Sequence, residues 1–259
     1  LFIQDDADKV SINSNNGNVT VHSIDGDHDE DVAINAGSGT LSVGRIGGQG
    51  ASGSDPQGIN TVELTSSHAT GITLSGSITT SDAATNNITL TGPVVISGTV
   101  ALDTDPGSTQ DGTITFTSTI RGDGDAATTD NLDIETGSGT LTFNASTIIG
   151  GADGDGTAKP LATLDINITG GAGNVVALDI PQIGKTGTTT AGVTGITRIG
   201  STTATTVTMS DDLYNFGTGD VTISAVSTGT GTTFSAADTN VNTGGGLSLI
   251  HISEPTRQH

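Results

Sequence analysis

The sequence predicts an all-β chain folded as a right-handed parallel β-solenoid (β-helix) of stacked short-strand coils. Three observations carry that reading. Apolar residues recur at alternate positions, and each run offers only two of them. Period-2 runs of that length make short strands, which cannot fill the gap of about 10 Å between the sheets of a sandwich. Aromatic anchors are scarce, with five Phe, one Tyr and no Trp, so the core must be thin and lined by Val, Ile and Leu. Gly and Thr/Ser/Asn turn signals also arrive too often for long sandwich strands.

The elements follow in order. Strands centre on Val19/Val21, Val32/Ile34, Leu41/Val43, Val62/Leu64, Ile72/Leu74, Ile88/Leu90, Val94/Ile96 and Val100/Leu102. Thr, Val and Ile dominate them, as strands prefer. Helical spacing is rare, and 39 glycines interrupt it where it occurs. One stretch appears twice. V-A-I-N-A-G-S-G-T-L-S-V at 32–43 matches L-D-I-E-T-G-S-G-T-L-T-F at 132–143, each reading as strand, tight turn, strand. G-N-V-T-V at 17–21 is echoed by G-T-I-T-F at 112–116, and I-N-T-V-E-L at 59–64 by L-A-T-L-D-I at 161–166.

These echoes divide residues 1–246, one solenoid, into units near 17–111 and 112–218, with an incomplete third at 219–246. Coils of about 20 residues would give eleven or twelve levels and a rod of about 55 Å. Residues 247–259 stand apart. Leu247 to Arg257 reads L-S-L-I-H-I-S-E-P-T-R, which resembles the translation of a sequencing adapter. We expect this tail to be non-native.

Composition bounds function. The net charge is −21, from 28 acidic and 7 basic residues. So few bases argue against nucleic acid as a partner, because phosphate affinity comes from Lys and Arg. There is no cysteine and no long apolar run, so neither thiolate metal sites nor membrane insertion of this segment is expected.

At this point the motifs carry a resemblance. I-T-L-T-G-P-V-V-I-S-G-T-V-A-L-D-T at 88–104, G-T-I-T-F at 112–116 and G-S-G-T-L-T-F at 137–143 resemble the strand-repeat regions of filamentous-haemagglutinin-like adhesins and autotransporter passengers. The resemblance covers roughly 17–246. It implies a stalk or passenger segment of a large adhesin, extracellular or on the bacterial cell surface. Partners would be a host or neighbouring cell surface, its glycans or a matrix. It implies no enzyme activity.

Residue chemistry offers few sites. Asp25, Asp27, Asp29 and Asp31 alternate, as do Asp123 with Asp125 and Asp153 with Asp155. Alternate carboxylates in turns can converge on calcium, which takes six to eight oxygens. The plainer reading is a solvated loop whose Asp and Gly serve turn geometry, and it takes precedence. No cofactor is required on either reading. His28 could join a metal shell; His22 stands six residues before it and His68 forty after it in sequence. Arg121-Gly122-Asp123 is an integrin-type tripeptide at the mouth of a loop, and coincidence is the better explanation. A carbohydrate-active β-helix enzyme is the competing reading. Three carboxylates with Arg or Lys on one exposed sheet would support it. A sandwich array in a surface matrix protein is the third.

Overall fold

The computed structural model describes residues 1–3, 9–27, 30–48, 58–81, 86–106, 111–153, 155–167, 176–185, 187, 190–201, 205–225, 232–234, 240–242 and 249–250. Among them there is no helix. The first strands are β1 (Phe2–Ile3), β2 (Val10–Asn13), β3 (Val19–Gly26), β4 (Glu30–Asn35) and β5 (Leu41–Gly47). From there the strands come in threes. β6 (Ile59–Thr65), β7 (Ile72–Leu74) and β8 (Ile78–Thr79) are followed by β9 (Asn87–Thr91), β10 (Val94–Ile96) and β11 (Thr99–Asp103). Next are β12 (Thr113–Phe116), β13 (Ile120–Gly122) and β14 (Asn131–Glu135), then β15 (Thr140–Phe143), β16 (Ile148–Ile149) and β17 (Thr163–Ile166). β18 (Val176–Ile180), β19 (Gln182–Ile183) and β20 (Thr197–Ile199) precede β21 (Thr205–Met209), β22 (Leu213–Asn215) and β23 (Val221–Ile223). β24 (Thr232–Phe234), β25 (Asn240–Asn242) and β26 (Leu249–Ile250) are the last.

Strands of one triplet pair with their counterparts in the next, except that no ladder pairing joins β15 to β18, and this sorts the strands into three ladders. The first runs β2-β4-β6-β9-β12-β15 and resumes as β18-β21-β24. The second runs through β3, β5, β7, β10, β13, β16, β19, β22 and β25. The third runs through β1, β3, β5, β8, β11, β14, β17, β20, β23 and β26. β3 and β5 serve two ladders by bending at a corner. At Gly44 a Cβ would stand 2.1 Å from the His22 carbonyl oxygen below. All strand pairings among the described residues are parallel; a single antiparallel bridge, Ala152 with Ala158, ties one loop. A sandwich of antiparallel sheets is incompatible with that pattern.

The spacing is longer and less even than 20 residues. Register partners are 22 residues apart from Val10 to Val32, 26 from Ile88 to Ile114 and 34 from Ile149 to Ile183. The third ladder accordingly has nine steps among the described residues, fewer than expected. The extra residues sit in corner loops, which strand periodicity cannot count.

Alternation places the core as expected. Val32, Ile34, Leu41, Val43, Leu132, Ile134 and Leu141 are buried, and Phe143 is partly buried, stacked on Phe116 with ring centroids 5.4 Å apart. Residues of all three ladders belong to one apolar cluster running from Ile3 to Ile223. Three of the few aromatics, Tyr214, Phe116 and Phe216, are its bulkiest members. Tyr214 brings a polar tip inside, and that tip is satisfied. Its hydroxyl donates to the Ile180 carbonyl at 2.9 Å and accepts from the Asp211 amide at 2.8 Å.

The duplicated stretch forms strand-turn-strand in both copies, with Gly37 and Gly137 at φ 58° and 54°. That left-handed region suits glycine. Yet the copies occupy different corners. β4 to β5 passes from the first ladder to the second, whereas β14 to β15 passes from the third to the first. The 100-residue echo repeats a local motif and shifts it by one face. The ladders cross residues 111 and 112 unbroken, pairing Ile88 with Ile114 and Val94 with Ile120. Leu249 and Ile250, inside the stretch expected to be non-native, pair with Thr222 and Ile223.

Candidate functional site

The outward positions of the second ladder build the most developed surface feature. Thr73, Val95 and Arg121 stand in register on β7, β10 and β13. Their neighbours Ile72, Val94 and Ile120 face the core. Arg121 is nevertheless only 5 % exposed, because the loops before β7 and after β16 rise around it. Together they border a half-open cavity of 480 Å³ lined by Arg121, Lys159, Asp123, Asp153, Asp155 and Ser97, among others.

The carboxylates there hold their own loops. Asp123 accepts from the Asp125 amide at 2.6 Å, the Ser97 hydroxyl at 2.7 Å and the Thr128 hydroxyl at 3.0 Å. Burial pushes this carboxyl up, but these bonds outweigh it and hold Asp123 below the usual aspartate range. Asp153 accepts from the amides of Asp155 and Thr157 at 3.1 and 2.9 Å. Lys159 Nζ lies 3.9 Å from the other Asp153 oxygen.

Arg121 is less well served. Its Nη2 donates to the Ala69 and Thr70 carbonyls at 3.4 Å each, and its Nη1 has no partner. Burial lowers its pKa, against the opposing charge of Asp153. The other bases with pairs across levels are better matched. Arg45 grips Asp25 with two bonds of 2.5 and 2.7 Å, Arg198 grips Asp165 at 2.7 and 2.5 Å, and Lys9 meets Glu63 at 2.7 Å.

The expected calcium residues thus divide. Asp123, Asp153 and Asp155 line one cavity. Asp125 sits beside it and caps the Ala127 amide at 2.9 Å. Asp25 is taken by Arg45, and Asp31 lies 3.5 Å from the Asn60 side-chain amide. Asp27 is half-buried on its own corner. Asp29 and His28 lie outside the described residues. Among the described residues no three His, Cys, Asp or Glu side chains converge on a common metal position. The D-x-D spacing has a simpler use. In Asp103/Asp105, Asp123/Asp125 and Asp153/Asp155 the first carboxylate accepts the amide two residues on, at 2.8, 2.6 and 3.1 Å. These are Asx turns.

The tripeptide Arg121-Gly122-Asp123 begins on a buried strand, not on a displayed loop: Ile120–Gly122 is β13. An integrin-type hook needs an accessible Arg, and Arg121 is covered.

A second cluster escaped the sequence reading. Asp103 and Glu135 are register partners on β11 and β14, and Asp105 and Asp111 close in beside them. Burial, a hydrogen bond with Asp111 and the charges of Asp111, Asp103 and Glu135 push the Asp105 carboxyl up to about 7. The D-T-D at 103–105 was a visible signal; its proximity to Asp111 and Glu135 depends on loop lengths that the sequence does not reveal.

The fold defines the chain as an all-β protein of stacked parallel strands. No known protein family, curated protein or solved structure matches it.

Proposed function

We propose that the chain is a right-handed parallel β-solenoid and serves as the stalk segment of a bacterial surface adhesin, outside the cell. The observation that carries this is the unbroken run of the second and third ladders, with the first in two lengths beside them, around one apolar cluster. Such a stack gives length and a repetitive lateral surface for little sequence specificity. The right hand follows from the strong chirality preference of parallel crossovers. At about 4.8 Å per step, nine steps give a body of about 43 Å. Its outer faces, with Thr, Asn and acidic columns, would keep it soluble between an anchor and a host or neighbouring cell, glycan or matrix.

A stalk tolerates loss of a level. Thr113 stands in register with Asn87, so deleting residues 87–112 removes one coil in frame. The variant should melt cooperatively, and cells displaying the protein should keep most of their surface attachment. Abolished attachment with the fold intact would contradict the stalk reading.

A carbohydrate-active β-helix enzyme is the second reading, favoured by the gathering of three carboxylates with Arg121 and Lys159. Against it, two of those carboxylates are committed to loop amides, which ties them down as general acid or base. Release of reducing ends from a polysaccharide panel, abolished in Asp153→Asn, would establish it.

Calcium binding by the acidic loops remains a secondary proposal. Ligand binding to the folded state raises the melting temperature. Calcium at about 10⁻³ M, the extracellular affinity class, should do so relative to chelator, and an unchanged value would remove the idea.

A further inference from the structure

We propose that the cavity at Arg121 binds a carboxylate that also carries hydroxyl groups, the chemistry of an acidic sugar. This goes beyond the stalk reading and does not depend on it.

The argument starts from the guanidinium. A buried charge must be paired or hydrogen-bonded to be tolerable. Arg121 is 5 % exposed, its Nη1 has no partner and its Nη2 has two long bonds. The two other described guanidinium groups, Arg45 and Arg198, each grip a carboxylate with two bonds, and Arg121 grips none. Its planar fork matches a carboxylate, which can accept two parallel bonds. Among the described residues no carboxylate fills that place, because Asp153 is turned to its own loop and Lys159.

The remaining lining decides what else the ligand must carry. Asp123, Asp153 and Asp155 set three negative charges against the two of Arg121 and Lys159. A compact inorganic anion such as phosphate sets a larger charge, about −1.5 to −2, against these acids than one carboxylate does, and has few protons to donate to them. A bare cation would meet Arg121 and Lys159. A polyol with one carboxylate satisfies both halves: its acid pairs with Arg121, and its hydroxyls donate to Asp155, the lining carboxylate not held by loop amides. Ser97 adds a hydroxyl at the same wall. The volume of 480 Å³ lies within the usual range for small-molecule sites, about 300–1,000 Å³.

The test uses the full chain and ligand-observed NMR titrations with D-galacturonate, D-gluconate, D-galactose and inorganic phosphate. Galacturonate should bind about ten- to a hundredfold more tightly than galactose, the value of a hydrogen bond to a charged group. Phosphate should bind no better than galactose. Gluconate matching galacturonate would identify an open-chain hydroxy acid as the better source, and weaker gluconate binding a sugar ring; both keep the shared chemistry. Arg121→Gln should lose the preference for galacturonate, with an unchanged melting profile. Lys159→Gln, on a partly exposed side chain, should weaken galacturonate severalfold if Arg121→Gln fails to fold. Equal affinity for galactose and galacturonate, phosphate binding as tight as galacturonate, or a folded Arg121→Gln that binds unchanged would each overturn the proposal. A rod that binds none of these ligands would defeat this inference while leaving the stalk reading standing.

Discussion

At the residue scale, single atoms decide whether one level can sit on another. A Cβ at Gly139 would stand 1.9 Å from the Gly112 carbonyl oxygen, and one at Gly39 2.3 Å from that of Gly17. Backbone cannot yield as a side chain can, so Gly139→Ala should cost about 1–3 kcal/mol. Gly58→Ala is the control, since nothing lies within 4 Å of its added carbon; thermal melts of both variants check the contrast. Asp105 gives a pH prediction. Its carboxyl titrates near 7 in the fold and near about 3.9 in an unfolded chain. Between those values the folded state holds the extra proton, so stability falls as pH rises through that window. Burial pushes Asp103 and Asp133 the same way. Asp123 has the opposite sign, and its contribution is lost only in stronger acid. The melting temperature should therefore be several degrees higher at pH 5 than at pH 8, and Asp105→Asn should flatten the difference. A flat wild-type profile would contradict the cluster's geometry. The sequence displayed both features without their meaning. G-S-G was legible as a turn, but the carbonyl beneath it belongs to the preceding level.

At the element scale, strands are held by what lies directly above and below them. Thr99, Asn131 and Thr163 are register partners on β11, β14 and β17. Asn131 donates to the Thr99 hydroxyl at 3.0 Å and accepts from that of Thr163 at 2.9 Å. This side-chain ladder parallels the backbone one, and Asn131→Ala should cost about 1–2 kcal/mol in a denaturant melt. Ile134, fully buried beside Leu102 and Ile166 in the stack, should cost about 2–5 kcal/mol on truncation to Ala. Asp125→Ala, in an exposed loop, should lose no more than the about 0.5–1.5 kcal/mol of one hydrogen bond. The strands themselves were the most legible feature. Period-2 pairs such as Val62/Leu64 and Ile88/Leu90 named inward residues directly, because alternation is a backbone property. Which strand lies under which was not legible. The partner of Ile149 is 34 residues away and that of Val10 only 22, and turn residues do not encode a coil length. The burial of Arg121 was not legible for a related reason: its triplet reads as the mouth of a loop, and only its register beside Val95 places Arg121 itself on a covered strand.

For the whole molecule, the account stands on one regularity: each step along a ladder advances the chain by the same small rise. Overall dimensions test this poorly, since a short rod and a compact globule of this size differ little. Distances along a single ladder test it directly. Ser11, Thr89 and Thr142 occupy outward positions of the first ladder, linked in register through Ala33, Glu63 and Thr115. The chain has no cysteine, so Cys pairs introduced there take spin labels uniquely. Pulsed dipolar spectroscopy on Ser11→Cys/Thr89→Cys and Ser11→Cys/Thr142→Cys is the decisive measurement. Three steps and five steps of about 4.8 Å predict backbone separations of about 14 and about 24 Å. The second pair should therefore be longer by about 10 Å. Equal distances, a shorter second distance, or a broad distribution for the pair spanning residues 111 and 112 would contradict one continuous stack.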